Sequence, residues 1–340
     1  MATPKIYIDL TTLSGWEDLP MGTYDITVAA KSEEYSRIVQ SSPVQIRKVG
    51  DAFITFSSLD EFTLSTANNS KKWDGRIEFS TDKTTWMTWN GNDTLYSVNG
   101  KLYLRGVGNT HITTSMGSTC AWVLTGTNIS CDGNIENLLD YQTVLAGYHP
   151  TMAEYCYERM FRNCASLVSA PELPAVALTN YCYEDMFSGC TSLTRAPQLP
   201  ATSLTNHCYA WMFSGCTSLT TAPSLPANMY SEYNEAGCYY GMFKNCTSLT
   251  TIPNLPSTYL SYICYCEMFS GCTSLYISDT QTPEAQYAWS IPANGTLQNN
   301  YTNPMHYGYM FGNCLGTRAN DDFSGDAGNQ YTYYTQNPPV

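Results

Sequence analysis

Apolar residues recur through the second half of the chain at fixed intervals. The segment Cys-Tyr-x-x-Met-Phe-x-x-Cys-x-Ser-Leu begins at Cys156, Cys182, Cys208, Cys238 and Cys264, at spacings of 26, 26, 30 and 26 residues. An altered sixth copy runs from His306 through Met310 and Phe311 to Cys314. Self-similarity at such a period predicts a solenoid, whose units cannot each bury an apolar face alone and must share a core with their neighbours. Within one unit, Cys182, Met186 and Phe187 stand at i, i+4 and i+5, a spacing that predicts one face of a short helix. Gly189 follows where a helix would end in a left-handed residue. Its equivalents are Gly215, Gly271, Asn163, Asn245 and Asn313, and these two residue types take that conformation most cheaply. Leu193, Ala196 and Leu199 continue the apolar pattern, while Pro197 and Pro200 limit the segment to a short extended piece. Each unit therefore reads as short helix, tight turn, short strand and Pro-bounded return.

The first half alternates with a period of two. Tyr24–Val28 and Val44–Arg47 read as strands within residues 1–50. The run Leu19-Pro20-Met21-Gly22-Thr23-Tyr24 before the first of them resembles the tyrosine-corner region of a fibronectin type III domain. That resemblance covers the closing half of such a domain. The segment is either a small hairpin or an open sheet edge that pairs with another subunit or a particle surface. In residues 51–130, stretches such as Phe53–Phe56, Arg76–Phe79, Trp86–Trp89 and Lys101–Arg105 are separated by Asn90-Gly91 and Asn99-Gly100 turns, predicting a small β-sandwich. Trp73, Trp86 and Trp89 are either its core or a platform for sugar. Residues 131–155, with Ile135, Leu138, Leu139, Val144 and Leu145, are expected to cap the open end of the solenoid.

The run MFSGCTSLTTAPSLPA resembles the BspA-like leucine-rich repeats, whose units carry a Phe-x-x-Cys-x-x-Leu core. The similarity spans roughly residues 150–317. Together with the strand patterns and the fibronectin resemblance above, it gives a multidomain α+β chain: Ig- or fibronectin-like β domains at 1–50 and 51–130, a leucine-rich-repeat solenoid of short strands and short helices at 131–317, and a tail at 318–340. It also implies that Cys164, Cys190, Cys216, Cys246, Cys272 and Cys314 form an internal ladder bonding backbone groups. Such repeats are common in surface and phage proteins of gut bacteria. The resemblance thus implies a virion protein, made in the host cytoplasm and released by lysis, with a bacterial cell-surface or secreted adhesin as the alternative.

Charge narrows the partners. Sixteen basic residues face 29 acidic ones, for a net charge of −13, and no basic patch interrupts this, which argues against nucleic acid and anionic membranes. No run of 18 apolar residues spans a bilayer, and the first residues lack the apolar stretch of a secretory signal. Eleven of the fourteen cysteines occupy the two repeat positions, so buried free thiols are expected in preference to a disulfide framework, and the absence of any C-x-x-C speaks against zinc. His207 beside Cys208 suggests a nucleophile and its base. Yet Tyr155, Tyr181, Gly237 and Ile263 fill the same place elsewhere, and His306 merely replaces a repeat cysteine. Asp321, Asp322 and Asp326 lack EF-hand spacing and read as a turn. No catalytic residue, metal ligand or cofactor site is expected. A polysaccharide hydrolase would need a carboxylate pair, for which Glu154, Glu158, Glu184 and Asp185 are the candidates.

Of 27 tyrosines, 22 lie in residues 141–340, among only five Lys or Arg. Tyr with Ser, Thr, Asn and Gly is a composition typical of recognition surfaces. The expected binding surface comprises Arg195, Trp211, Tyr230, Tyr233, Tyr240, Tyr276, Tyr287, Trp289, Tyr301 and Tyr309, with the interruptions at 229–237 and 279–305 as its prime loops. Expected partners are other virion proteins and further copies of the chain through residues 1–50, and a host-surface glycan or protein through the solenoid.

Overall fold

The computed structural model describes residues 51–69, 71–113, 121–225, 237–250, 253 and 263–275, together with strand backbones at 22–26, 29–31, 38–40, 44–48, 259–260 and 296–297. The chain divides into two compact units, Met1–Asp51 and Ala52–Val340. In the first, β1 (Gly22–Ile26) pairs antiparallel with β4 (Val44–Lys48), and β2 (Ala29–Lys31) with β3 (Ile38–Gln40).

The second unit is β-rich and opens with β5 (Ile54–Ser57), β6 (Thr63–Thr66), β7 (Arg76–Ser80), β8 (Met87–Trp89), β9 (Leu95–Tyr96), β10 (Lys101–Val107), β11 (Trp122–Thr125) and β12 (Ile129–Asp132). The sequence alternates as the sheets require: Ile54 and Phe56 of β5, Leu102 and Leu104 of β10, and Ile77 of β7 are fully buried. Strands β11, β6 and β9 form a three-stranded sheet; the larger one runs β12–β5–β10–β7–β8 and gains β13 (Leu167–Ser169) beside β12. Trp73, Trp89 and Trp122 meet between them, with ring centroids 4.9–6.5 Å apart. Trp73 and Trp89 are thus core. Trp86 is half-buried and carries the Arg105 guanidinium 4.0 Å from its ring centroid.

The boundary expected at 130 falls inside β12, because this sheet continues into the repeats: β12 pairs in parallel with β13 of the first one. Upstream residues supply the first coil's outer neighbour. Ile112 and Trp122 donate their N–H to Cys156 and Met160, and Ile129 to Ser166. Trp122 takes the place a phenylalanine holds in later coils, 6.2 Å from Phe161. Ile112, Trp122 and Ile129 therefore cap the first coil, upstream of the segment 131–155 expected to do so. The single α-helix among the described residues, α1 (Asn137–Leu145), packs instead on β10. There a Cβ on Gly106 would lie 1.5 Å from the Leu138 carbonyl oxygen, so only glycine permits the approach.

Among the described residues, the short helices expected in the repeats do not form. The segment from Tyr155 to Cys164 is a ribbon of turns in which alternate N–H groups serve two directions. Glu158, Met160, Arg162 and Cys164 donate to the carbonyl three residues back, whereas Tyr157, Arg159, Phe161 and Asn163 donate to Cys182, Glu184, Met186 and Ser188 of the next coil, at 2.7–2.9 Å. The pattern repeats at 181–190, 207–216 and 237–246. Every fourth residue has positive φ: Tyr155, Arg159 and Asn163 at 58–63° in the first coil, and their equivalents in the others. Arg159 and Asn163 are the third residues of turns 157–160 and 161–164, the place where a type II turn demands it. Each expected Gly or Asn helix stop within the described residues is left-handed, but it closes a turn ribbon; Asn313 lies outside them.

Between the left-handed residues the side chains turn inward in pairs. Cys156-Tyr157, Met160-Phe161 and Cys164 are buried, as are their counterparts in four further coils. The tyrosines stack on one another at 5.6–6.0 Å and the phenylalanines at 5.6–5.7 Å, with ring planes within 8° of parallel. Five of the tyrosines read as surface material (Tyr157, Tyr183, Tyr209, Tyr239 and Tyr265) are thus core. On the return side, pairing is reduced to β13 and to single bridges such as Arg195↔Thr221 and Ala177↔Ser203, as the prolines there dictate. Beyond these, β14 (Tyr259–Leu260) pairs in parallel with β15 (Thr296–Leu297).

Candidate recognition surface

Three columns of left-handed residues line the ribbon face: Tyr155–Tyr181–His207–Gly237–Ile263, Arg159–Asp185–Trp211–Gly241–Glu267, and Asn163–Gly189–Gly215–Asn245–Gly271. The third holds only Gly and Asn, which adopt positive φ readily. The first two carry eight larger side chains, although each costs about 1–3 kcal/mol in this backbone region. The coil-to-coil hydrogen bonds fix the backbone, so the ribbon imposes the strain and the side chains are displayed by it.

In the first column, Tyr155, Tyr181 and His207 stack at 4.7 and 5.1 Å. His207 Nδ1 stands 3.6 Å from the Glu184 carboxylate, and a Cβ on Gly237 would meet the imidazole at 2.9 Å. The imidazole is thus engaged by this column, while the Cys208 thiol is buried in the core. In the second column, Arg159 bridges Asp185 (3.1 Å) and Glu158 (3.2 Å), and Arg162 reaches Asp185 at 3.8 Å. Glu158 and Asp185 are almost wholly buried with these partners. Glu154 accepts from the Asn180 amide at 2.7 Å. The four carboxylates named as a hydrolase candidate are therefore engaged in ion pairs or hydrogen bonds.

Among the ten residues read as a binding surface, Trp211 and Tyr240 come together, with centroids 4.5 Å apart and edge-on. Arg195 is exposed on the return side, in the bridge to Thr221. Tyr230, Tyr233, Tyr276, Tyr287, Trp289, Tyr301 and Tyr309 lie outside the described residues, as do Asp321, Asp322 and Asp326. Sequence reasoning missed two charged members of the Trp211 group. The Lys244 ammonium lies 5.1 Å from the Trp211 ring centroid and 2.7 Å from the Glu267 carboxylate. The lone glycine of the second column, Gly241, was the available signal. A Cβ there would sit 2.3 Å from the indole.

Inside the coils, each cysteine that follows the ribbon donates its thiol to a phenylalanine carbonyl one coil back. Cys190 reaches Phe161, Cys216 Phe187, Cys246 Phe213 and Cys272 Phe243, at 3.0–3.2 Å, and Cys164 bonds the Trp122 carbonyl at 3.2 Å. Cys314 lies outside the described residues. Burial pushes the thiols of Cys164, Cys216 and Cys272 up to about 12, and those of Cys156, Cys190 and Cys246 well above the ordinary range. Thiols held protonated in this way are poor nucleophiles and poor metal ligands. All twelve described cysteines are free. Among the described residues, no three His, Cys, Asp or Glu side chains are placed to hold a metal ion. No helix there is long and apolar enough to cross a membrane. Comparison with protein-family models, with curated proteins and with solved structures finds no match.

Proposed function

We propose that this chain is a non-enzymatic recognition component of a bacteriophage virion, in a tail fibre, baseplate or head appendage. The array of coils is a BspA-like leucine-rich solenoid that binds a host-surface glycan or protein. The fibronectin-like unit before it attaches the chain to the particle and to further copies of itself.

One observation carries the recognition reading. Two columns of positions that favour glycine hold Tyr, His, Ile, Arg, Asp, Trp and Glu, differing from coil to coil, on a scaffold whose inward residues are nearly invariant. Side chains that cost backbone strain and stand outside the inward-facing apolar ladder fit a surface selected for what it touches. The free thiols support synthesis in a reducing cytoplasm, which suits a protein released by lysis.

The test is binding of the fluorescently labelled full chain to a panel of intact gut bacteria, before and after periodate or protease treatment of the cells. Saturable binding to a subset of strains is expected. Loss after periodate identifies a glycan and loss after protease a protein. A chain that binds no strain in the panel contradicts the reading.

A further inference from the structure

We infer that Trp211, Tyr240, Lys244 and Glu267 form a subsite for an uncharged pyranose ring of a surface polysaccharide. This rests on the glycan arm of the recognition reading and gives it a place and a chemistry. The second column of the ribbon is otherwise charged, with Arg159, Asp185 and Glu267. It changes character at Trp211, where the next coil gives up its side chain. Gly241 is left-handed, and its missing Cβ makes the room in which the indole sits. Tyr240 stands edge-on to the same ring, and both aromatic residues are half-buried, so part of each remains at the surface.

A pyranose offers a face of C–H groups and a rim of hydroxyls. The indole and phenol supply an apolar platform for the first. Glu267 accepts from hydroxyls and Lys244 donates to them, which is the sparse polar complement that fixes orientation in a sugar or small-ligand site. The carboxylate and ammonium are 2.7 Å apart and each about a quarter exposed, with side-chain exposures of 25% and 28%. They neutralise each other, so the subsite selects for hydroxyls over a sulfated or carboxylated sugar. Among the other described tryptophans, Trp73, Trp89 and Trp122 are buried, and the Arg105 guanidinium lies 4.0 Å from the Trp86 ring centroid, closer than the Lys244 ammonium lies to that of Trp211 (5.1 Å).

The experiment uses the full chain, the same bacterial cells and two variants. Trp211→Ala removes the platform. Gly241→Ala keeps the indole but fills its seat and displaces it. Both are expected to weaken periodate-sensitive binding by about 30-fold, the loss of a central aromatic anchor. Should either variant show a shifted urea midpoint, Tyr240→Ala and Glu267→Gln are read in its place, since these side chains are outside the stacked core. Periodate-sensitive binding that survives Trp211→Ala or its replacements undiminished overturns the subsite and leaves the recognition reading standing. Binding that is protease-sensitive and periodate-resistant overturns the pyranose assignment. A chain that binds no cells removes both.

Discussion

Raising the pH through about 9 to 10 unfolds the repeat unit cooperatively and reversibly when a reductant is present. The thiols of Cys131, Cys156, Cys164, Cys182, Cys190, Cys216, Cys238, Cys246 and Cys272 are all raised in the folded chain, chiefly by burial, and for Cys238 first by the hydrogen bond with Cys208. In the unfolded chain each returns to about 8.5. Below that pH both states hold the proton and stability is unaffected. Above it the unfolded chain releases protons that the folded chain keeps, so stability falls, and it continues to fall until the folded thiols titrate, near 12 for Cys164, Cys216 and Cys272. Each thiol contributes a slope of about 1.4 kcal/mol per pH unit. Nine acting together exceed the ~5–15 kcal/mol net stability of a typical domain within about one to one and a half units. Circular dichroism against pH reads the transition directly. A chain that keeps its coils beyond pH 11 would show that these thiols are not sealed from water.

Phe213→Ala costs about 3–5 kcal/mol, the range for emptying a large aromatic site in a core. Phe213 is fully buried and stacked between Phe187 and Phe243 at 5.7 Å on each side. The void cannot close easily, because backbone bonds on both flanks hold the coils at fixed spacing: Phe187 to Met212, and Phe213 to Met242, both at 2.9 Å. Its backbone carbonyl also receives the Cys246 thiol. Thr194→Ala, exposed on the return side of a neighbouring coil, changes stability by no more than about 0.5 kcal/mol and serves as the control. Urea midpoints of the two variants check the pair of expectations. Equal midpoints would mean that the register of the coils is other than described.

The existence, period and inward residues of the repeat were legible in the sequence, whereas the backbone that realises them was not. The inward pairs Cys156-Tyr157 and Met160-Phe161 and the single Cys164 recur every four residues, close enough to 3.6 to imitate a helical face. The ribbon differs in sending alternate N–H groups to the next coil, and that long-range choice leaves no local mark. Glycine would have betrayed the left-handed positions, but most of them in the two displayed columns carry other residues, so only the third column advertised itself. Tyr183 and its equivalents were misread because tyrosine suits surfaces as readily as cores; their place three residues before the methionine that recurs in every coil does not distinguish the two. The cap was misplaced for a related reason. The apolar spacing of residues 135–145 is that of a helix packed on something, and only the tertiary arrangement shows that β10 receives it while Trp122 and Ile129 continue the repeat core. The Trp211 group was half legible: the aromatic pair was visible, but Lys244 and Glu267 join it only once adjacent coils are stacked.

The proposed attachment role belongs to Met1–Asp51 and the proposed recognition role to Ala52–Val340, so separating the two compact units tests them. The most direct measurement is absolute mass by light scattering on the full chain and on residues 52–340. A defined multimer is expected for the full chain and a folded monomer for residues 52–340. The same number of copies in both, whether one or several, would contradict assembly through the first unit and with it the virion assignment.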